Sequence, residues 1–546
     1  MSSRRGARRP PKRSAAALVA SLAVFCVIAA ACGGGDDGAT ALETTGLEAA
    51  PVGAESAGSA LANRVAAGIA AAGGDPQSLQ GPNPCNLPGA ADAEPITVAY
   101  VGPNLAELEA VGLETTEVED LSLIIAAYVN QVNFSGGIRG RCVELLTYLW
   151  SLSDPTASFA HICSELPERR PVLHFALTVP EATLQCATLD SQITTVGLFT
   201  AVPEATLVQA RGRLFVDDGA FEPLMLGSLR DAAAAGVIDH SDRIGFLQGS
   251  NAAVSTSALE VALREERTGR SMAAPPAANL MFLEDRIRRL DIDVAASVII
   301  PALYGDLMLL LTEKQIRLLE ADLSDEELQE AAQNLATLPP AMAAIYLDIE
   351  DFYSETAARF RDDGVTAVAA IAGWSDLRRM MRAAERIDWT PKWIANDIQP
   401  ATVLMADIPR RQAENLVQVS ARRAAGDEIP ELDAGCITLR NTAVEAPPFA
   451  YRPHSDAWNL ATSTCDYLDV TFGAISRADE PITSDSVLNA LDDTDYAAPY
   501  GGRITFSRTD RGGAERFRVL EPDVDCVLNF WGCMRATTDW ITPPAP

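Results

Sequence analysis

Polar and aromatic side chains follow most of the apolar, strand-like runs of this sequence, at the point where each run ends. The positions expected to contact a ligand are Asn104, Leu105, Thr178, Thr200, Ala201, Ser250, Asn251, Trp374 and Asp397. Open parallel sheets bind ligands beyond the carboxyl ends of their strands, where loops and helix N-termini present unpaired N–H groups. The pattern therefore predicts a binding site for a small molecule, although each residue taken singly is more typical of a plain turn or cap.

The residue types that usually carry catalysis are scattered along the chain. The four histidines are His161, His174, His240 and His454. None lies in an H-E-x-x-H motif, no G-x-S-x-G segment occurs, and no lysine follows a glycine as a P-loop requires. The acidic group Asp348, Glu350 and Asp351 lacks the glycine and spacing of an EF-hand loop, which favours a solvated helix face. We expect no enzyme activity, no cofactor and no metal; an extracytoplasmic enzyme is the main alternative.

The elements that would position these residues alternate between strand and helix. Apolar strand-like runs start at Pro95, Cys142, Val172 and Ile193, and helical runs separate them. After Arg243 the alternation begins again, which predicts an α/β fold whose parallel sheets are covered by helices on both faces. Residues 303–361, rich in Leu, Ala and Glu, are expected to form a helical insertion into the second half.

The N-terminus has the parts of a secretory signal. A basic run at 4–13 precedes an apolar run at 15–31, which ends in Ile28-Ala-Ala-Ala-Cys32. This junction resembles the lipobox of bacterial lipoproteins, in which the cysteine becomes the acylated first residue. The resemblance implies a signal peptide over residues 1–31 and lipidation at Cys32. An uncleaved membrane anchor is the alternative, although the apolar run is at the short end for spanning.

The composition of the next segment predicts a tether. Residues 32–93 are mostly Ala, Gly, Ser, Thr and Pro, and such a segment buries too little apolar surface to offset the entropy of ordering. The formal net charge of the whole chain is −31. A field of this sign repels phosphate backbones and anionic membrane surfaces, so we expect no nucleic-acid partner. Solubility is the simplest role for the charge.

The cysteine count indicates disulfides. Of ten cysteines, Cys26 lies in the predicted signal peptide and Cys32 at the lipobox, which leaves eight. An even number in an exported chain is typical of disulfide bonding. The absence of C-x-x-C spacing gives no support to a zinc ribbon or a redox pair.

The order of the segments resembles the periplasmic solute-binding proteins related to the Leu/Ile/Val-binding protein, and covers most of residues 95–525. The resemblance is carried by ITVAYVGPNLAELEAVG at 96–112, AAYVNQVNFSGGIRGRCVEL at 126–145, SDP at 153–155, RLFV at 213–216, RIGFL at 243–247, GVTAV at 364–368, GW at 373–374, SDAWNLA at 455–461 and YGGRITFS at 500–507. It implies two Rossmann-like lobes joined by three hinge crossovers, near Asp217, Ser420 and Gly501. Lobe one would comprise residues 94–218 and 420–500, and lobe two residues 219–419 and 501–540.

The resemblance also implies a function and roles for particular residues. Proteins of this family close by a hinge over a small molecule and deliver it to an ABC importer in the membrane. The ligand carboxylate would lie near Thr178 and the Thr200–Ala201 loop, an ammonium would pair with Asp397, and Trp374 would form an aromatic wall. The chain departs from the family at Ala201, where a hydroxyl residue is expected, and at Ala253, where a tyrosine is expected. A monomer that binds an amino acid or a related compound is therefore the prediction.

Two further points stay open at the level of sequence. Local pairing would join Cys163 to Cys186, Cys436 to Cys465 and Cys526 to Cys533, and leave Cys85 for Cys142, but spacing does not determine connectivity. A surface lipoprotein that binds a ligand for signalling or adhesion is the second functional hypothesis. A neighbouring permease gene would favour transport, and a neighbouring sensor-kinase gene would favour signalling.

Overall fold

The computed structural model describes residues 54–79, 85, 94–104, 121–151, 155–177, 179, 181–198, 202, 204–216, 221–249, 293–300, 340–371, 374–397, 408–444, 456–492, 494–498, 502–507, 516–523, 526 and 533–541. The predicted signal peptide and Cys32 lie outside these residues. No helix in the described ranges is long and apolar enough to cross a membrane.

Strands and helices alternate through most of the described chain. The strands are β1 (Ile96–Pro103), β2 (Val143–Trp150), β3 (Leu173–Leu177), β4 (Thr194–Leu198), β5 (Leu214–Val216), β6 (Arg243–Gly249), β7 (Asp293–Ile300), β8 (Ala367–Ile371), β9 (Lys392–Ala395), β10 (Leu416–Ser420), β11 (Thr494–Ala497), β12 (Arg503–Phe506), β13 (Arg518–Asp523) and β14 (Cys533–Ala536). The α-helices are α1 (Ala54–Ala71), α2 (Leu121–Phe134), α3 (Pro155–Arg169), α4 (Glu181–Gln185), α5 (Glu204–Gln209), α6 (Phe221–Ala234), α7 (Pro340–Asp362), α8 (Trp374–Arg386), α9 (Arg410–Ala413), α10 (Glu431–Val444), α11 (Asp456–Arg477) and α12 (Ser484–Leu491). A single 3-10 turn, Pro76–Leu79, follows α1, and a π-helical turn, Cys186–Asp190, continues α4.

The first sheet is parallel throughout and has the strand order β2-β1-β3-β4-β5. Every residue of β3 and β4 is buried, as expected for parallel strands covered on both faces. The strand order reverses between β1 and β3. Ligands of doubly wound sheets bind at such a switch point, beyond the carboxyl ends of the strands.

The second sheet repeats this plan. Its order is β14-β13-β10-β9-β8-β6-β7, and the five strands from β7 to β10 are parallel. The order of these five matches that of the first sheet, with the switch point between β6 and β8. The strands β13 and β14 extend the sheet in antiparallel orientation. The predicted α/β class with two parallel-stranded sheets is therefore confirmed.

Each sheet has its own hydrophobic core, which defines the two lobes used below. Lobe one is the first sheet with α1, α2, α10 and α11 packed on it, and lobe two is the second sheet with α6, α7 and α8. The chain leaves sheet one after β5, and the expected crossover near Asp217 falls before α6. It leaves sheet two after β10 and enters α10. The third crossover was predicted at Gly501, which is too early, because Ile504 and Phe506 of β12 are buried in the core of lobe one.

The predicted tether over residues 32–93 is wrong for residues 54–79, because α1 is an integral part of lobe one. Its side chains Leu61, Val65 and Ile69, spaced four apart, are buried against α10, α11 and α2. Arg64 donates from Nη1 and Nη2 to the two carboxylate oxygens of Asp469 on α11, at 2.6 and 3.0 Å. The helices approach closely because Gly68 has no side chain: a Cβ there would lie 2.2 Å from Asp469 Oδ1.

The helical insertion predicted at 303–361 lies within the described residues only over 340–361, which are helical as expected. Residues 340–362 form α7, which precedes β8 and packs on α8, as the crossover helix of an ordinary β-α-β unit does. Glu350 of α7 accepts hydrogen bonds from Arg379 and Arg386 of α8, both at 3.0 Å. This part of the predicted acidic group is therefore held in ion pairs between two helices. Residues 301–339 lie outside the described residues.

The structure contains the four expected disulfides. They are Cys85–Cys142, Cys163–Cys186, Cys436–Cys465 and Cys526–Cys533. The first joins the segment after α1 to the start of β2, and the third joins α10 to α11.

Candidate functional site

The carboxyl edges of the two sheets carry the three predicted ligand contacts that the structure describes. Asn104 follows β1 directly, and its backbone N–H donates to the carbonyl of Trp150 at 3.0 Å. Trp374 is the first residue of α8 and lies three positions after the last residue of β8, which places its backbone at the switch point of lobe two. Asp397 lies two positions after the last residue of β9. The topology thus brings Trp374 and Asp397 to one edge of one sheet.

Asp397 is buried, with 5% of its surface exposed, and its carboxylate is held by the neighbouring strand. Oδ1 accepts hydrogen bonds from Gln418 Nε2 at 2.8 Å and from Ser420 Oγ at 2.5 Å. Oδ2 accepts one from the backbone N–H of Ala421 at 2.7 Å. All three donors are uncharged, and a carboxylate offers about four acceptor positions, so roughly one on Oδ2 is left.

No Lys, Arg or His of the described ranges forms an ion pair with Asp397. Buried carboxylates are normally paired with a cation, because burial removes the charge from water. Among the described residues, Asp397 is therefore a buried acid that is hydrogen-bonded but has no counter-charge. Its position at the carboxyl edge of the sheet is the place where ligands of such sheets bind.

Trp150 is a residue at the edge of lobe one that sequence reasoning missed. It ends β2 in register with Pro103 of β1, and its ring packs on Phe159 with centroids 5.3 Å apart. Its indole N–H is buried and has no acceptor within the part of the chain that the structure describes. In the sequence, a tryptophan at the end of an apolar strand is not distinguishable from an ordinary core residue.

The remaining predicted ligand contacts lie outside the described residues. They are Leu105, Thr178, Thr200, Ala201, Ser250 and Asn251. For Trp374 the structure gives the backbone position only. The contributions of these side chains to a ligand site stay predictions.

Within the described ranges, His174 and one Asp/Cys group are the side chains to consider for catalysis or metal binding. His174 is fully buried in β3, burial lowers its pKa to about 3, and its Nδ1 lies 3.3 Å from Thr195 Oγ1, so the ring is neutral. Asp523, Cys526 and Cys533 form the one group of potential metal ligands within the described ranges. Because the two cysteines are joined in a disulfide, their sulfurs are not available as thiolate ligands.

Comparison with known proteins gives matches in structure and none in sequence. No known protein family and no curated protein matches the chain. A fatty acid ABC transporter substrate-binding protein from Thermomonospora curvata superimposes with a TM-score of 0.52 at 11% identity, over 85% of this chain and 95% of its own. A solute-binding protein of an ABC transporter from Rhodopseudomonas palustris BisB5, in complex with 3,4-dihydroxybenzoic acid, gives 0.51 at 10% identity, over 82% and 97%. A branched-chain amino acid ABC transporter protein from Thermus thermophilus with bound valine gives 0.51 at 13%, over 82% and 97%.

These matches define the class of fold. The chain has the two-lobe, type I architecture of the periplasmic solute-binding proteins of ABC transporters, and the predicted resemblance is confirmed at that level. The three proteins carry chemically different ligands, so the shared fold does not select one.

Proposed function

We propose that the protein is an extracytoplasmic, lipid-anchored solute-binding protein that captures a small polar molecule and delivers it to an ABC importer. The ligand lies between the lobes, at the carboxyl ends of both parallel sheets, and hinge closure buries it. The matching strand orders of the two sheets support this placement, because each sheet contributes one switch point to such a groove. The protein acts by binding alone, without catalysis.

The class of ligand is inferred from the Asp397 carboxylate. A buried carboxylate with no counter-ion among the described residues favours a ligand with a cationic group, since that group would supply the missing charge. An amine meets this requirement. An α-amino acid also has a carboxylate, which would accept hydrogen bonds from backbone N–H groups at the carboxyl edge of sheet one. The hydrogen bonds from Gln418, Ser420 and Ala421 hold the Asp397 carboxylate in place before the ligand arrives, which reduces the entropy cost of binding.

The test is native mass spectrometry of the secreted chain, followed by a thermal-shift screen over amino acids, amides and small organic acids. A ligand at a hundredfold excess over its Kd stabilises by about 2.7 kcal/mol, enough for a clear shift. We expect at least one amino acid or amine to raise the melting temperature and anionic acids without an amino group to have no effect. A screen in which no compound shifts the transition would contradict the proposal.

Substitution of Asp397 gives the sharper result, and lobe two offers a matched control. Asp397→Asn should weaken the Kd of the compound found in the screen by roughly tenfold to a hundredfold, because it removes the charge partner. Trp374→Ala should also weaken it. Asp242→Asn is the control: Asp242 is equally buried, accepts from Lys392 Nζ at 2.9 Å, and precedes β6 at the opposite edge of the same sheet. It should lower stability and leave the Kd unchanged; equal effects of Asp397→Asn and Asp242→Asn would refute the site.

A further inference from the structure

Arg423 lies on the crossover from β10 to α10, and the backbone on both sides of it belongs to lobe two. The carbonyl of Arg422 accepts a hydrogen bond from Arg518 Nη2 of β13 at 3.0 Å. Ala424 is buried in the core of lobe two, and the N–H of Ala425 donates to the carbonyl of Met534 in β14 at 2.9 Å. The chain therefore leaves lobe two only after residue 425.

The side chain of Arg423, in contrast, is inserted into lobe one. Its Nε and Nη2 donate to the two carboxylate oxygens of Asp433 on α10, both at 2.6 Å. Nη2 also donates to Asp466 Oδ2 on α11 at 2.8 Å. The guanidinium carbon lies 5.7 Å from the centre of the Trp458 ring, and the side chain is 1% exposed. One buried guanidinium thus connects the backbone of lobe two to the helices of lobe one.

The same crossover begins at the candidate site. Ser420 and Ala421, which donate to the Asp397 carboxylate, precede Arg423 by three and two residues. A second arginine ties the crossover to sheet two, because Arg518 Nη1 donates to Asp427 Oδ1 at 2.9 Å and Nη2 pairs with Oδ2. The short stretch of backbone from Ser420 to Arg423 therefore links the hydrogen bonds of the Asp397 carboxylate to those that Arg423 makes with the acids of lobe one.

We propose that Arg423 is the pivot of lobe closure, a positioning residue whose guanidinium stays bound in lobe one while residues 420–425 turn with lobe two. Ligand contact at Asp397 changes the hydrogen bonds of Ser420 and Ala421 and so acts on the orientation of the pivot. The inference rests on the proposed function for closure itself. The contacts that form the pivot lie within the chain and are testable without a ligand.

The acids around Arg423 offer a conservative substitution that weakens the contacts of the pivot. Asp466 shares Arg423 with Asp433 and also accepts from Tyr496 Oη of β11 at 3.2 Å. One turn along α11, Asp469 binds Arg64 of α1 and accepts from Tyr128 Oη of α2 at 2.7 Å. Asp466→Asn keeps the shape of the side chain, so we expect the variant to fold, while Arg423 loses the Asp466 carboxylate and keeps that of Asp433.

The experiment is hydrogen exchange followed by mass spectrometry on the full secreted chain, with Asp469→Asn as the matched control. Both variants make the same change on the same buried helix, but only Asp466 contacts the crossover. Asp466→Asn should speed amide exchange in residues 421–430 by roughly tenfold and leave α1 at the wild-type rate. Asp469→Asn should speed exchange in residues 54–71 and leave the crossover unchanged.

Two results would overturn the pivot: wild-type exchange at 421–430 in Asp466→Asn, or the same change in both segments for both variants. Arg423→Lys is a second variant, which keeps the charge but cannot form the bidentate hydrogen bonds with Asp433. It should speed exchange in the same segment. The exchange experiment uses no ligand, so its result does not depend on the outcome of the ligand screen. Failure of the pivot and failure of the binding function are therefore distinguishable.

Discussion

The buried acid Asp466 predicts an unusual dependence of stability on pH. Its pKa is raised from 3.8 to about 7, mainly because burial disfavours the charged form; Arg423 opposes the shift and the neighbouring Asp433 adds to it. Because the pKa is higher in the folded state than in the unfolded state, the stabilisation from this group is fully present below about pH 4. It is lost as the pH rises through 7. Three pKa units correspond to at most about 4 kcal/mol.

Asp466→Asn removes this titration. Relative to the wild type, the variant should gain stability as the pH rises from 4 to 7.5, by up to about 4 kcal/mol in the free energy of unfolding. Urea denaturation at pH 4, 5.5 and 7.5, followed by tryptophan fluorescence, measures the difference. Asp479→Asn, which removes an acid from the exposed segment after α11, controls for the change in net charge. A difference between Asp466→Asn and wild type that is constant over this pH range would refute the reasoning.

Two other predictions concern the N-terminal region. Gly68→Ala should destabilise the protein by about 2–4 kcal/mol, because the added Cβ would lie 2.2 Å from Asp469 Oδ1 and displace α1. In the control Gly227→Ala of α6, the nearest atom is Arg230 Nη2 at 3.9 Å, so thermal unfolding should occur at or slightly above the wild-type temperature. Cys32→Ser should move the protein from the membrane fraction to the soluble secreted fraction of the native host; retention in the membrane would contradict lipid anchoring at Cys32.

The parts of the fold that were predicted correctly depend on local patterns. Apolar strands followed by polar turns gave the parallel sheets, and successive helices that each carry a cysteine gave disulfides such as Cys163–Cys186. The helix α1 was missed because its Ala-rich composition is that of a linker. Only Leu61, Val65 and Ile69 indicate a buried face. The partner that holds it, Asp469, lies 405 residues away from Arg64.

The place of Asp397 in the fold was predictable, but its contacts were not. Asp397 was singled out because it follows a strand, and the structure places it at the carboxyl edge of sheet two. Its three hydrogen bonds come from β10 and the residue after it, 21 to 24 residues further along the chain, and depend on the register between β9 and β10. The pivot was missed for a similar reason, since Arg423 meets Asp433 and Asp466 only after the chain has returned to the other lobe.

Small-angle X-ray scattering of the secreted chain, with and without a compound from the thermal-shift screen, tests most directly whether two lobes close on a ligand. The account predicts that a saturating ligand reduces the radius of gyration, and that Asp397→Asn needs a higher concentration of the same compound for the same reduction. A ligand that binds tightly and leaves the scattering curve of the wild type unchanged would contradict it.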